Sequence, residues 1–338
     1  MRGTGLTGIL ALLLLLASAL PLRAETAEEE LDVTEIIYEH TGDAYAWHHM
    51  PLPVIVRSRS TGWHIFLSSA LPCEGFAIGA ADTPYAGKVV EETEEGPVRP
   101  LDLSITRNVL SLLLSSVLLV VLVLLAARWY RRHDVLKEAP KGIAALLEPV
   151  IVMLEDEVFK PAIGRDWQRY SSYLLTAFFF ILINNLLGIL PIFPGGANLT
   201  GNIAVTLVLA MCTFLATNLF GTKHYWKDIF WPEVPVFLKV PLPLMPIIEI
   251  VGLFTKPFSL MIRLFANIFA GHAMLIGLLC VIFVTAKMGP AINGSMMFVS
   301  VLLGIFMDCL EVLVAFIQAY VFTMLSAVFI GASRQTNH

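Results

Sequence analysis

Between Tyr170 and Thr222 the chain runs 53 residues without a single charged side chain. Few folds tolerate such a stretch. In hydrocarbon every backbone N–H and C=O must be satisfied internally, so it has to be helical. One bilayer crossing needs about 20 residues, and Pro191, Pro194, Gly195 and Gly196 interrupt the run near its middle. The pattern predicts a helical hairpin, with helices over about 171–190 and 202–220. Asn108–Ala127, Ile247–Ala286 and Ser295–Gly331 are further apolar stretches, and Lys287, Gly289 and Pro290 separate the last two. The expected fold is an all-α polytopic membrane protein with five transmembrane helices. The last two exceed the hydrocarbon thickness and should be tilted or bent, packed antiparallel. Only 14% of residues are charged and 57% are hydrophobic. That balance excludes a soluble enzyme, a nucleic-acid-binding protein and a disordered chain.

The charge is unevenly spread. Residues 25–107 hold 15 acids against 5 bases, whereas residues 108–338 hold 12 against 15. Residues 1–24 have a basic start, an apolar run from Ile9 to Leu20 and a Leu22-Arg23-Ala24 end. They read as a secretory signal peptide cleaved after about Ala24, with an uncleaved span as the alternative. Residues 25–107 are then an acidic extracytoplasmic region. Within it Glu25–Glu39 suits a short acidic helix. Leu52–Val56 and Trp63–Leu67 suit strands separated by Arg57–Gly62, and Glu91–Pro97 suits a charged linker. The spacing of His40, His48, His49 and His64 matches no metal site, and solvated surface histidines are expected. Cys212, Cys280 and Cys309 lie in apolar stretches and read as buried small hydrophobes, and the four cysteines imply no disulfide framework.

Residues 108–129 form the expected first transmembrane helix. Arg128, Arg131, Arg132 and Lys137 follow it and place that end in the cytoplasm by the positive-inside rule. Residues 130–169 form a cytoplasmic loop. In it Gly142–Phe159 is periodic, with Leu146, Leu147, Val150, Met153 and Leu154 on one face, and should lie at the surface or pack on a partner. Lys223 and Lys227 mark the inside again. Trp226, Trp231 and the prolines at 232, 235, 241, 243 and 246 describe an interfacial connection. Arg334 leaves the C-terminus cytoplasmic.

Five ionisable residues fall inside the last two apolar stretches: Glu249, Arg263, His272, Asp308 and Glu311. A charge at the centre of a bilayer costs about 2.5–3.5 kcal/mol on insertion scales, so each is a functional candidate. Lys256 can also snorkel to the interface. Arg263 cannot deprotonate, so it holds a permanent cation at depth. It is either half of an internal salt bridge or a fixed counter-charge for a carboxylate that comes and goes. His272 lies nine residues on, about 13 Å along a helix and about 180° around it. If Gln318 is level with Arg263, then Glu311, seven residues earlier on an antiparallel helix, is near the depth of His272. This gives a central polar couple and an outer titratable couple, with Asp308 one turn further out. Ser259, Lys256 and Glu249 could wet a second path on the inner side.

The run from Ser259 to His272, which includes Arg263 and Asn267, resembles the arginine helix of subunit a of F-type ATP synthases. Glu311–Phe322, with Gln318, resembles that family's last helix, and Tyr173–Pro191, with Asn184 and Asn185, resembles the helix entering the hairpin. The similarity covers about residues 100–334. It implies that residues 170–338 are a proton-channel core and that Arg263 is the essential arginine facing a rotating ring of c subunits. Asn267 and Gln318 would be its polar neighbours, Glu249 an inner-side glutamate, and His272 with Glu311 two positions of the outer half-channel. Asp308, Ser259, Lys256 and Asn184 are possible lining residues. The implied partners are the c-ring, the b subunits of the peripheral stalk and membrane lipid, in a bacterial inner membrane. No cofactor, metal or nucleic acid is expected, and no catalysis by the chain alone. The resemblance does not reach residues 25–107, which are expected to shield or shape the outer channel entrance.

Overall fold

A computed structural model describes residues 33, 36–37, 42–47, 50–58, 61–79, 83–93, 96–133, 138–190, 195–230 and 244–334. These belong to the second of two units, Val33–His338. The expected signal peptide, nearly all of the acidic 25–39 segment, His40, His48, His49, Lys137, Pro191, Pro194, Trp231 and the prolines at 232, 235, 241 and 243 lie outside the described residues.

The N-terminal region is built from short antiparallel strands. β1 (Ala46–Trp47) pairs with β2 (Met50–Pro51). β3 (Pro53–Ser58) and β4 (Gly62–Leu67) are the two expected strands; they pair as a hairpin with Ile55 opposite Ile65, and Arg57, Ser58 and Gly62, expected between the strands, belong to them. After β5 (Phe76–Ile78), β6 (Val89–Thr93) and β7 (Gly96–Val98) form a second hairpin with Glu91 opposite Val98. The expected charged linker over Glu91–Pro97 is therefore wrong. Gly96, at φ 114°, supplies the turn conformation that side chains rarely adopt, and strand pairing overrides local charge. β8 (Leu101–Asp102) adds to β3. Tyr45, Val54, Val56, Leu71, Phe76 and Val89 make the core of this region.

Inside it, the Tyr45 hydroxyl donates to Asp102 Oδ2 at 2.5 Å, and Ser104 N donates to Asp102 Oδ1 at 2.9 Å. Burial pushes the Asp102 carboxyl up, but the hydrogen bonds from Ser104 and Tyr45 outweigh it and hold it below the ordinary range. Burial, with the Asp102 contact, pushes the Tyr45 phenol up.

Five apolar helical stretches follow. Among the described residues four are long and apolar enough to cross a membrane, and a bent pair makes a fifth if it is counted as one span. α1 spans Arg107–Arg132. α2 (Ile143–Met153) runs through a wide π turn at Leu154–Phe159 into α3 (Lys160–Ile163). α4 is Trp167–Ile189 and α5 is Ile203–Leu219. α6 (Lys223–Phe230) turns 100° away from α5. α7 is Leu244–Thr285 and α8 is Pro290–Arg334, at 42 and 45 residues. At 1.5 Å per residue these reach about 60 Å, twice the hydrocarbon thickness.

The 142–159 segment does not lie loosely at the surface. The π turn shifts its helical phase, and Leu154, Val158, Phe159 and Ile163 enter the main core beside α4, α7 and α8. Leu146, expected on the packed face, is 73% exposed. α8 meets α3 through Gly331, where a Cβ would come within 1.9 Å of the Ala162 carbonyl oxygen. Ala315, Ala319 and Ala327 are likewise fully buried on α8, the small residues that let helices approach in lipid. A hydroxyl chain stitches three helices: Tyr173 to Thr213 at 2.9 Å and Thr213 to Ser326 at 3.1 Å. At the end of α8, Arg334 pairs with Asp166 at 2.6 Å and Ser333 O accepts from Thr222 N at 3.0 Å. Cys280 is buried as expected, but Cys212 and Cys309 are exposed, since the outer face of a membrane helix is apolar too.

Two outcomes are expected. Gly331→Ala overpacks the α3–α8 crossing, so thermal unfolding in detergent should show a loss of at least about 1–3 kcal/mol; an unchanged melting curve would refute the close approach. Asp102 has a lowered folded value, so its stabilisation is present above the ordinary aspartate value of about 4 and is lost as pH falls through the folded one. Asp102→Asn should therefore weaken the β region at neutral pH and flatten its acid loss, followed by tryptophan fluorescence. A variant as acid-sensitive as the parent would contradict this.

Candidate functional site

α7 and α8 run antiparallel and carry nine of the ten candidate residues between them; Asn184 sits on α4. Two polar contacts fix their register. Asn267 Nδ2 donates to Gln318 Oε1 at 2.7 Å. About a turn further along α7, His272 Nδ1 lies 2.5 Å from Glu311 Oε1. The His272 and Glu311 side chains are only 14% and 5% exposed. Seven residues separate Glu311 from Gln318, which keeps both on nearly one face of α8, and both are buried. Gly271 makes the titratable contact possible: a Cβ there would sit 3.0 Å from Glu311 Oε1.

His272 and Glu311 open onto a cavity of about 400 Å³ between α4, α7, α8 and the loop before α5. Asp308, Ser300, Gly188, Gly196 and Asn198 also line it. Glu311 Oε2 is buried there with no hydrogen-bond partner among the described residues. A buried carboxylate costs a great deal unless it is paired or protonated. The imidazole and the carboxyl are close enough to share a hydrogen between Nδ1 and Oε1.

Arg263 occupies a different environment. It is exposed on α7, with Ile262, Ala266, Asn267 and Ala270 exposed around it. No described residue forms an ion pair or hydrogen bond with it, so the alternative of an internal salt bridge finds no partner among them. Nor does it couple to Gln318, whose amide partner is Asn267, one turn beyond Arg263. The expected Arg263–Gln318 couple is replaced because the antiparallel register sets Gln318 level with Asn267. The half-turn phase between Arg263 and His272 persists: the cation sits on the open face and the imidazole in the cavity.

On the other side of Arg263 along α7, Ser259 and Lys256 are exposed and Glu249 is half-buried. Lys256 Nζ lies 5.8 Å above the Phe329 ring of α8. It lines a small cavity of about 20 Å³ with Thr213, Thr217, Asn218 and Tyr225, which neither Ser259 nor Glu249 reaches. Asn184 is buried and donates to Phe180 O of its own helix at 2.7 Å. Its neighbour Asn185, not singled out from sequence, donates to Ala315 O on α8 at 3.2 Å. Asn198 and Ser300 were also missed. Asn198 stands in an Asn-Leu-Thr-Gly-Asn run that reads as turn chemistry, and its Oδ1 does accept from Gly201 N at 2.9 Å. Among the described residues no group of three or more His, Cys, Asp or Glu is placed to hold a metal. His64 lies 3.5 Å from Glu74 and 2.7 Å from the Thr61 hydroxyl.

Filling the Gly271 position should push Glu311 from His272. Gly271→Val is expected to cost about 1–3 kcal/mol in thermal unfolding, and adding Glu311→Ala should recover part of that loss. Strictly additive losses in the double variant would show that the carboxylate does not rest on Gly271.

Comparison with known proteins follows the same boundaries. Over 239 residues the chain is 41% identical to ATP synthase subunit a 2 of Chlorobaculum tepidum, covering 69% of this chain and 64% of that protein. Over 231 residues it is 42% identical to ATP synthase subunit a 2 of Prosthecochloris aestuarii, covering 68% of each. Over 245 residues it is 41% identical to ATP synthase subunit a of Myxococcus xanthus, covering 70% of this chain and 75% of that protein. The matched stretch is thus just under two thirds of the first of these relatives. Residues 36–103 match a family described as a domain of unknown function (DUF8433), which is the β region. Residues 112–331, from α1 to nearly the end of α8 and including every candidate residue, match the ATP synthase A chain family, and the chain belongs to that family.

Proposed function

We propose that this chain is the stator subunit of the membrane sector of an F-type ATP synthase, supplying two proton half-channels and the fixed arginine between them. The observation that carries the reading is the contrast on one helix: an exposed Arg263 with no partner among the described residues, and a buried His272–Glu311 pair in a cavity. A permanent cation on a membrane helix costs about 2.5–3.5 kcal/mol at mid-depth. A carboxylate on a partner moving past that face offsets the cost. The chemistry of that partner is a ring of c subunits, each with a carboxylate that ionises opposite Arg263.

In this reading protons enter through the 400 Å³ cavity, pass Asp308 and the His272–Glu311 pair, and reach the ring beside Asn267 and Gln318. Arg263 draws each ring carboxylate into its charged form. It also blocks direct passage to the inner side, because a guanidinium neither gives up its proton nor lets a second cation by cheaply. Lys256, Ser259 and Glu249 belong to the exit side. The chain performs no covalent chemistry itself; it converts a proton gradient into torque on the ring.

The chain is a multi-pass inner-membrane protein of the bacterial type. The basic cluster Arg128, Arg131 and Arg132 at the end of α1 supports a cytoplasmic C-terminus and an extracytoplasmic β region. The b subunits of the peripheral stalk are the remaining proposed partner, with lipid around the rest.

Arg263→Gln in the assembled complex should reduce ATP-driven proton pumping in membrane vesicles to background while the complex still assembles. Pumping at the parent rate would end this reading. Glu311→Gln should slow passive proton uptake several-fold without abolishing assembly.

A further inference from the structure

The β region does not hang free of the channel. Two sets of contacts bind it to the helices. The first is polar: Asp43 Oδ1 accepts from Asn108 N at 3.1 Å, Ala44 O accepts from Arg107 N at 2.8 Å, and the Arg107 guanidinium donates to Gly42 O. These occupy the first turn of α1, where free N–H groups and the helix dipole favour a carboxylate. The second is apolar: Trp47, 1% exposed, and Leu52 pack on Ala197 of the loop before α5 and on Leu110 and Leu114 of α1.

Ala197 is the telling contact. Its two neighbours, Gly196 and Asn198, line the cavity that holds His272 and Glu311. The loop therefore shows one surface to the cavity and the residue between to Trp47. Its backbone is secured at one end by Gly196 N donating to Leu187 O at 3.0 Å and at the other by Asn198 Oδ1 accepting from Gly201 N. The Asn198 Nδ2 donor is buried without a partner among the described residues. A buried amide donor left unpaired costs about 1–3 kcal/mol.

We propose that the β region buttresses the wall of the proton cavity, with Trp47 setting the position of the Gly196–Asn198 wall, and that Asn198, whose Oδ1 accepts from Gly201 N, is a further positioning residue of that wall beside the His272–Glu311 pair. This rests on the cavity being the outer half-channel proposed above. It gives residues 42–104 a mechanical task and a reason to be joined to the channel rather than carried by another subunit.

The test uses the assembled complex in membranes, with Asn198→Cys in a chain whose four native cysteines are serine, probed from the outside with a water-soluble maleimide. Trp47→Ala should change the labelling rate several-fold, and in the chain with Asn198 intact it should lower ATP-driven pumping several-fold. Trp47→Phe, which keeps an aromatic ring on Ala197, should restore both. Asn198→Ala should slow passive proton uptake several-fold and Asn198→Gln should recover much of it. Should Trp47→Ala fail to assemble, Leu114→Ala loosens the same cluster from the α1 side and is expected to act in the same direction. Labelling and pumping unchanged by either substitution would overturn the buttress, and unchanged uptake in Asn198→Ala would overturn the role of Asn198. Arg263→Gln, run alongside, separates the two claims: if it pumps normally, the rotary reading itself fails whatever the labelling shows.

Discussion

The antiparallel seam between α7 and α8 sets everything else in the helical core. Its close approach comes from small residues, with Ala315 and Ala319 of α8 fully buried beside a core that includes Leu260, Leu264 and Ile268 of α7. Its register comes from two polar contacts, Asn267–Gln318 and His272–Glu311. Apolar packing in lipid gives close contact but little choice of register, because sliding one helix past another exchanges one hydrocarbon neighbour for another. A misplaced buried carboxylate is far more costly. The candidate residues thus also hold the two helices in register, and Gly271 leaves the space that Glu311 occupies.

That register divides α7 into two environments. Nine residues bring His272 half a turn round from Arg263, so one helix presents a cation on its open face and a titratable pair inside. A route that led straight along one face would join them and leave no barrier. The half-turn offset keeps the titratable pair and the fixed charge apart, with the Asn267–Gln318 contact between their levels. The cavity ends where the packed core begins, and the core is closed by α2 and α3, which the π turn carries into the bundle.

At the opposite end of this arrangement the β region closes over α1 and the loop before α5. A loop of buried residues, Ala197 to Thr200, would be an unusual feature on a free surface. Here it is covered by Trp47 from one side and borders a polar cavity on the other. The β region covers Ala197 of this loop, so the two pack together next to the cavity.

Much of this was legible in the sequence for a simple reason. Membrane depth is one-dimensional, and a charge within an apolar run is conspicuous without any knowledge of packing. The five apolar stretches, the antiparallel last pair and the two strand-like runs follow from period, length and rise per residue, whereas the depth match of His272 and Glu311 follows only from a register with Gln318 level with Arg263, and the structure sets Gln318 level with Asn267. What depended on neighbours did not follow. The partner of Gln318 is set by a register that a difference of one turn decides. Leu154 is buried as its periodicity implies, but the burial of Val158 and Phe159 and the exposure of Leu146 need a π turn that no local propensity announces. Asn185, Asn198 and Ser300 look like any polar residue of a helix or turn until the tertiary structure sets them against α8 or the cavity. The sequence by itself determined where charge must cross the membrane; only the tertiary structure decided which groups face each other there, because that depends on contacts between segments far apart in the chain.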